Sequence, residues 1–176
     1  MIVTKIIATP IGDMVAGSTE AGICLLEFTD RRMLNTEYRI LRKYLKDDIC
    51  EGETIHTENL TGELCEYFEG KRKTFSVPLV FTGTDFQKSV WDELLRIPFG
   101  TTRSYSRQAV AVGDIGSVRA VANANGMNKI SIVVPCHRVI GENGHLTGYG
   151  GGLWRKKWLI DHEKKFSGQP VSLTMF

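Results

Sequence analysis

Apolar residues open the chain in two dense runs, 2–8 and 22–29, rich in Ile, Val, Leu and Phe. Thr9-Pro10-Ile11-Gly12-Asp13 and Met14-Val15-Ala16-Gly17 lie between them, so the stretch reads as a small antiparallel meander. The period then changes. Leu34, Tyr38, Leu41 and Leu45 fall on one stripe of a helix, and Leu60, Leu64, Tyr67 and Phe68 on one face of a second, expected from about Asn59 to Glu69 before Gly70. Glu51-Gly52-Glu53 reads as a loop and Lys71-Arg72-Lys73 as a solvated turn. A linker with Pro78 and Gly83 leads to Thr84, which can form a capping box with Gln87 three positions on. The helix so started carries Phe86, Val90 and Leu94, with Trp91 and Leu95 beside them and the aromatics as core, and ends at Pro98.

Two short helices follow, 105–112 and 118–125, with Ser104 and Ser117 as N-caps and Gly113 and Gly126 as stops. Together they form a helix-turn-helix candidate, a weak signal alone because any αα-hairpin looks similar. The second is built from small residues around a lone Arg119, a composition that suits close approach to a groove as well as close packing in a core. Ile130-Ser131-Ile132-Val133-Val134 reads as a strand that ends in Pro135-Cys136-His137-Arg138.

Charge separates the halves. Residues 1–84 hold ten Lys/Arg against thirteen Asp/Glu, whereas 85–176 hold twelve against seven, so the C-terminal half is where a polyanion would sit. With 42% hydrophobic and 24% charged residues, the composition is that of a globular protein rather than a disordered one. No run approaches the roughly 18 apolar residues of a spanning helix, and the N-terminus lacks the form of a signal peptide. A cytoplasmic protein with no membrane partner is expected. Cys24, Cys50, Cys65 and Cys136 form no close pair and, with His56, show no zinc spacing, so neither disulfides nor a metal are expected.

The segment 135–140 is the richest in chemistry. A free thiol with a pKa of about 8.5 is a few per cent thiolate at neutral pH, so a nucleophilic cysteine needs a base or a positive charge beside it. His137 can be the base and Arg138 the source of field, although adjacent residues of a strand face opposite ways, so a turn or a water must link Cys136 to His137. A carboxylate should hold the imidazole, and Glu142, Asp161 and Glu163 are the candidates.

Several ordered motifs now converge: Ile97-Pro98-Phe99-Gly100 with Ser104-Tyr105, Arg119-Ala120-Val121 through Asn128, Ile132-Val133-Val134-Pro135-Cys136-His137-Arg138-Val139-Ile140, and Gly148-Tyr149 through Leu153 to Trp158-Leu159 and His162-Glu163. In these the chain resembles the O6-alkylguanine-DNA alkyltransferases over nearly all of its C-terminal half, and in element order over the N-terminal half.

The resemblance implies an α/β fold: an N-terminal ribonuclease-H-like domain with a small antiparallel sheet over 1–83, a mostly helical, winged-helix-like C-terminal domain over 84–168, and a tail at 169–176. It implies repair by irreversible, single-turnover transfer of an alkyl group from O6-alkylguanine, and also O4-alkylthymine, to Cys136. By the same resemblance His137 is the water-mediated base, Glu163 its orienting carboxylate, Asn128 the structural asparagine, and Tyr105 the residue that crowds the phosphate and protonates the leaving base. Arg119 would enter the minor groove of double-stranded DNA, with Tyr105, Ser106 and Asn123 as further DNA contacts. Val139, Tyr149 and Gly150 would line the guanine pocket, Gly150 standing where the family often has serine. Cys136 stands where the non-reactive alkyltransferase-like proteins carry tryptophan. Neither cofactor nor metal is implied, and a monomer is expected. Read without the resemblance, the same residues also fit a cysteine hydrolase of many turnovers, or a DNA-binding module without chemistry.

Overall fold

The computed structural model describes residues 1–168; the expected tail at 169–176 lies outside them. Two compact units make up the chain. The first is 1–83 with 129–131, the second 84–128 with 132–168.

In the first unit, β1 (Ile2–Ile7), β2 (Met14–Thr19) and β3 (Gly22–Phe28) form the antiparallel meander, each pairing with the next. A short β4 (Ile49–Glu51) then joins β1 in parallel, so the sheet is mixed, in the order β3-β2-β1-β4. Three residues give too little alternation to announce a strand, and Glu51, read as loop, ends it. Helix α1 (Leu34–Leu45) lays Leu34, Tyr38, Leu41 and Leu45 against Ile2, Val15, Cys24 and Leu25, as its period dictates. Helix α2 (Ile55–Phe68) begins four residues before its expected start because Thr54 caps it in a box completed by Thr57 rather than by the usual Glu or Gln. Residues 129–131 run beside β3, where Leu26 N–H donates to the Lys129 carbonyl and Ser131 N–H to the Leu26 carbonyl, both at 2.8 Å.

The second unit is helical. Helix α3 (Asp85–Leu95) starts at the Thr84–Gln87 capping box and buries Val90, Trp91 and Leu94. Phe86, expected in the core, is 39% exposed, because it flanks the buried stripe instead of lying on it. Helix α4 (Tyr105–Val112) is capped by Ser104, whose hydroxyl accepts from Arg107 N–H, and ends at Gly113 in the left-handed region; such a cap contributes about 1 kcal/mol. Helix α5 (Val118–Gly126) follows Ser117 as expected, although the Ser117 side chain makes no cap hydrogen bond; Asp114 caps the turn before it, and the helix ends at Gly126. Trp91 Nε1 donates to the Ala124 carbonyl at 2.9 Å and Gln108 Nε2 to the Val90 carbonyl at 3.2 Å, which fixes α4 and α5 on α3.

The expected strand 130–134 does not form. Ile130 makes one isolated bridge to Leu26, and Ile132 has φ +72°, which turns the backbone out of the extended path. A β-branched residue there is strained by about 1–3 kcal/mol and persists because its surroundings hold it. Strands β5 (Arg103–Ser104) and β6 (Val139–Ile140) form a parallel two-residue ladder, and α6 (Leu153–Ser167) closes the unit.

Candidate active site

Cys136, His137 and Arg138 form one turn of 3-10 helix, in which Arg138 N–H donates to the Pro135 carbonyl at 3.0 Å. The turn removes the opposite-faces problem that a strand would impose on Cys136 and His137. Asn128, just past α5, donates from Nδ2 to the Val134 carbonyl at 2.9 Å and to Cys136 Sγ at 3.2 Å. One carboxamide thus holds the backbone before the turn and presents a partial positive charge to the sulfur, which is half-buried.

Of the three candidate carboxylates, Glu163, on α6, is the one that lies against the imidazole. Its Oε1 accepts from His137 Nε2 at 2.7 Å and from Arg138 Nη2 at 3.0 Å, its Oε2 from Arg138 Nε at 2.9 Å and from Gly100 N–H at 3.1 Å. Gly100 can come this near because it has no side chain: with φ +77°, a Cβ there would lie 2.4 Å from Ser167 Cβ. Burial alone would raise the Glu163 pKa, but His137 and Arg138 override it and hold the carboxyl well below the usual range. His137 is fully buried, and burial pushes its pKa down against the pull of Glu163. A neutral imidazole facing an ionised carboxylate carries its proton on Nε2. That leaves Nδ1 as a lone-pair acceptor, buried and without a hydrogen-bond partner among the described residues. Arg138, expected to lend its field to Cys136, is committed to Glu163 and to the Ile97 carbonyl at 2.6 Å.

Glu142 and Asp161, the other two candidate carboxylates, lie elsewhere. Glu142 is held below its ordinary pKa by the hydroxyls of Ser104 and Ser106, which engages Ser106, and Asp161 pairs with Lys157 at 2.5 Å. Arg119 and Asn123 are both exposed on α5. Val139 is buried, Tyr149 half-buried and Gly150 exposed. Tyr105 donates from its hydroxyl to the Thr147 carbonyl at 3.0 Å, and burial raises its pKa.

One residue escaped the sequence reading. Lys156 is wholly buried, donates to the Thr147 and Gly148 carbonyls at 2.9 and 3.2 Å, and stands 5.7 Å from the centre of the Tyr105 ring. Burial lowers its pKa to about 8, against the opposing pull of Cys136. Within Arg155-Lys156-Lys157 it looks like solvated charge; the available signal was its place on the same α6 stripe as Leu159, Ile160 and Glu163.

Two family models match the chain, the ribonuclease-like domain of 6-O-methylguanine DNA methyltransferase over residues 2–81 and its DNA binding domain over 85–165. A methylated-DNA–protein-cysteine methyltransferase of Mycobacterium tuberculosis is 43% identical over 176 residues, 100% of this chain and 99% of the relative. The chain belongs to this alkyltransferase family. The constitutive methyltransferase of Bacillus subtilis is 44% identical over 157 residues, 89% of the chain and 92% of the relative. The crystal structure of the M. tuberculosis O6-methylguanine methyltransferase matches with a TM-score of 0.80 at 38% identity, covering 98% of each chain. M. tuberculosis OGT in complex with DNA matches with a TM-score of 0.80 at 36% identity, covering 93% of this chain and 94% of that one. The mixed-sheet and helical units are therefore the alkyltransferase architecture. An alkyltransferase of this family moves an alkyl group directly and irreversibly from O6-alkylguanine in DNA to one of its cysteines, and is consumed in a single turnover.

Proposed function

We propose that Cys136 is the acceptor, and the observation that carries this is the relay behind it: Glu163 fixes the His137 proton on Nε2 and leaves a buried Nδ1 lone pair next in sequence to the sulfur. Through a bridging water, Nδ1 takes the Cys136 proton. The thiolate attacks the alkyl carbon, the carbon–O6 bond breaks, and its electron pair leaves with the guanine, which Tyr105 protonates. A thioether forms. It has no carbonyl for water to attack, so no second step regenerates the thiol. Cys24 does not compete: burial pushes its thiol up to about 12, an inert core sulfur.

The substrate is double-stranded DNA, entered from the minor groove. A base inside the stack is out of reach of the sulfur, so the nucleotide is flipped, with Arg119 filling its place and Asn123, Ser106 and Tyr105 meeting the backbone. The flipped base lies between Val139, Tyr149 and the backbone at Gly150. O4-alkylthymine is a second substrate. The protein works as a cytoplasmic monomer and without cofactor or metal.

Intact-mass spectrometry after incubation with an O6-methylguanine duplex tests the reading. One methyl group should appear on the peptide that contains Cys136, once per molecule. Cys136→Ala should take up none while its duplex affinity stays within about twofold, because phosphate contacts dominate binding. An unchanged mass for the wild type, or undiminished repair by Cys136→Ala, overturns it.

A further inference from the structure

Glu142 stands in a tight turn that follows β6 directly. Gly141 N–H donates to the His145 carbonyl and Gly144 N–H to the Gly141 carbonyl, both at 2.9 Å, and Gly144 has φ +80°, a left-handed backbone that favours glycine. The parallel ladder pairs Ser104 with Ile140, which sets this turn beside the first residues of α4. There the exposed Glu142 carboxylate accepts from the hydroxyls of Ser104 and Ser106, with Arg107 adding its charge, and together they hold it below its ordinary pKa, so that it is ionised at neutral pH. A cavity of about 180 Å³, lined by Ser104, Arg107, Ile140, Gly141, Glu142 and Gly144, opens next to it and leaves the side chain room to turn away.

A serine hydroxyl has a single proton to donate. Ser106 gives that proton to Glu142, and a DNA phosphate would need the same one. We propose that Glu142 is a built-in competitor for the DNA backbone, one that occupies the Ser106 hydroxyl in the free protein and must swing off it before a phosphate can be held there. This rests on Ser106 as a backbone contact and adds a brake on the affinity for DNA. Carboxylate and phosphate are both anions that accept from hydroxyl and guanidinium donors, so one set of donors serves either, and while Glu142 stays close its charge also repels the phosphate. Phosphate contacts supply the sequence-independent part of binding, so the brake acts on undamaged and damaged duplex alike.

Fluorescence anisotropy with an undamaged duplex at low ionic strength tests the assignment. Glu142→Ala should bind about fivefold tighter than wild type, and Glu142→Gln, which removes the charge but keeps an acceptor for the hydroxyl, should gain less. In a Ser106→Ala background the gain from Glu142→Ala should shrink to about twofold, the part that is general charge. Thermal melting shows whether each variant is folded. A folded Glu142→Ala that binds no tighter than wild type overturns the proposal. Equal gains in the two backgrounds also overturn it, provided Ser106→Ala weakens binding in both, since Glu142 would then act through net charge alone. If Ser106→Ala leaves binding unchanged even beside Glu142→Ala, Ser106 is no backbone contact, and the reading beneath the proposal falls with it.

Discussion

Each unit buries carboxylate beside guanidinium, and the two clusters are tuned in opposite directions. In the second unit a single Glu163 receives four hydrogen bonds from His137, Arg138 and Gly100, and its pKa is driven down. In the first, Glu27 and Glu37 share one Arg31: Glu27 pairs with it closely and accepts also from Phe28 N–H and Ser131, while Glu37 meets it at 3.1 Å. The Oε2 of Glu37 has no hydrogen-bond partner among the described residues. Burial wins in this cluster. The pKa of Glu27 is raised, and that of Glu37 is raised to about 7 by burial and then by Glu27. Similar burial therefore gives opposite titration: Glu163 has His137 and Arg138 to itself, whereas Glu27 and Glu37 share Arg31. A carboxylate that must stay ionised to orient a base needs the saturated version.

Glu163→Gln should break that contrast most severely. The amide can meet Nε2 as donor or acceptor, so the His137 tautomer is no longer fixed, and alkyl transfer should slow by about 10²- to 10⁴-fold, read as the single-turnover rate at pH 7.5. Stability should change with it. A depressed carboxyl pKa contributes stability that is present above the unfolded value of 4.5 and is lost as pH falls toward the lowered one. Wild type should therefore show an acid-dependent loss of melting temperature below pH 4.5 that Glu163→Gln lacks in part. Equal acid profiles would mean that the cluster is not ionised as described.

How far these clusters could be read in advance differs by residue. Helix-period stripes and the caps at Thr84 and Ser104 were legible because they are local. Cys136 and His137 stood out through their types and adjacency; the residues alone left Glu142, Asp161 and Glu163 open, the family resemblance pointed to Glu163, and the fold brings that one to the imidazole. The turn at Ile132 was illegible for a physical reason: Ile-Ser-Ile-Val-Val favours a strand, and a side chain four residues before it in sequence, Asn128, reaches the Val134 carbonyl beyond it. Neither Glu27 nor Glu37 attracted notice, since single charges in amphipathic segments normally face water. Burial of a charge is a property of the assembled unit.

A moderate effect is expected from Lys156→Met, which keeps the length of the side chain and removes its charge. In the wild type that charge is present below about pH 8 and is lost above it, so the alkylation rate, otherwise rising with thiolate, should level off or fall above pH 8. The variant should be about tenfold slower at pH 7 and should lack the upper break. An upper break that persists in Lys156→Met belongs to another group, Tyr105 being next in line through the shared Thr147 carbonyl.

Glu37→Gln should produce the smallest change, and its sign separates the two clusters. Between the unfolded value of 4.5 and about 7, the folded protein retains a proton on Glu37 that the unfolded chain has released, so stability declines as pH rises through that window. Glutamine cannot titrate. The variant should match wild type near pH 5 and exceed it by about 1–2 kcal/mol at pH 8, the loss of the Arg31 pairing offsetting part of the gain. Alkylation should be unaffected, since the acceptor turn lies in the other unit. Urea unfolding at the two pH values reads the difference; a variant less stable than wild type at pH 8 would show that Arg31 does keep both carboxylates ionised, and the contrast with Glu163 would then rest on function alone.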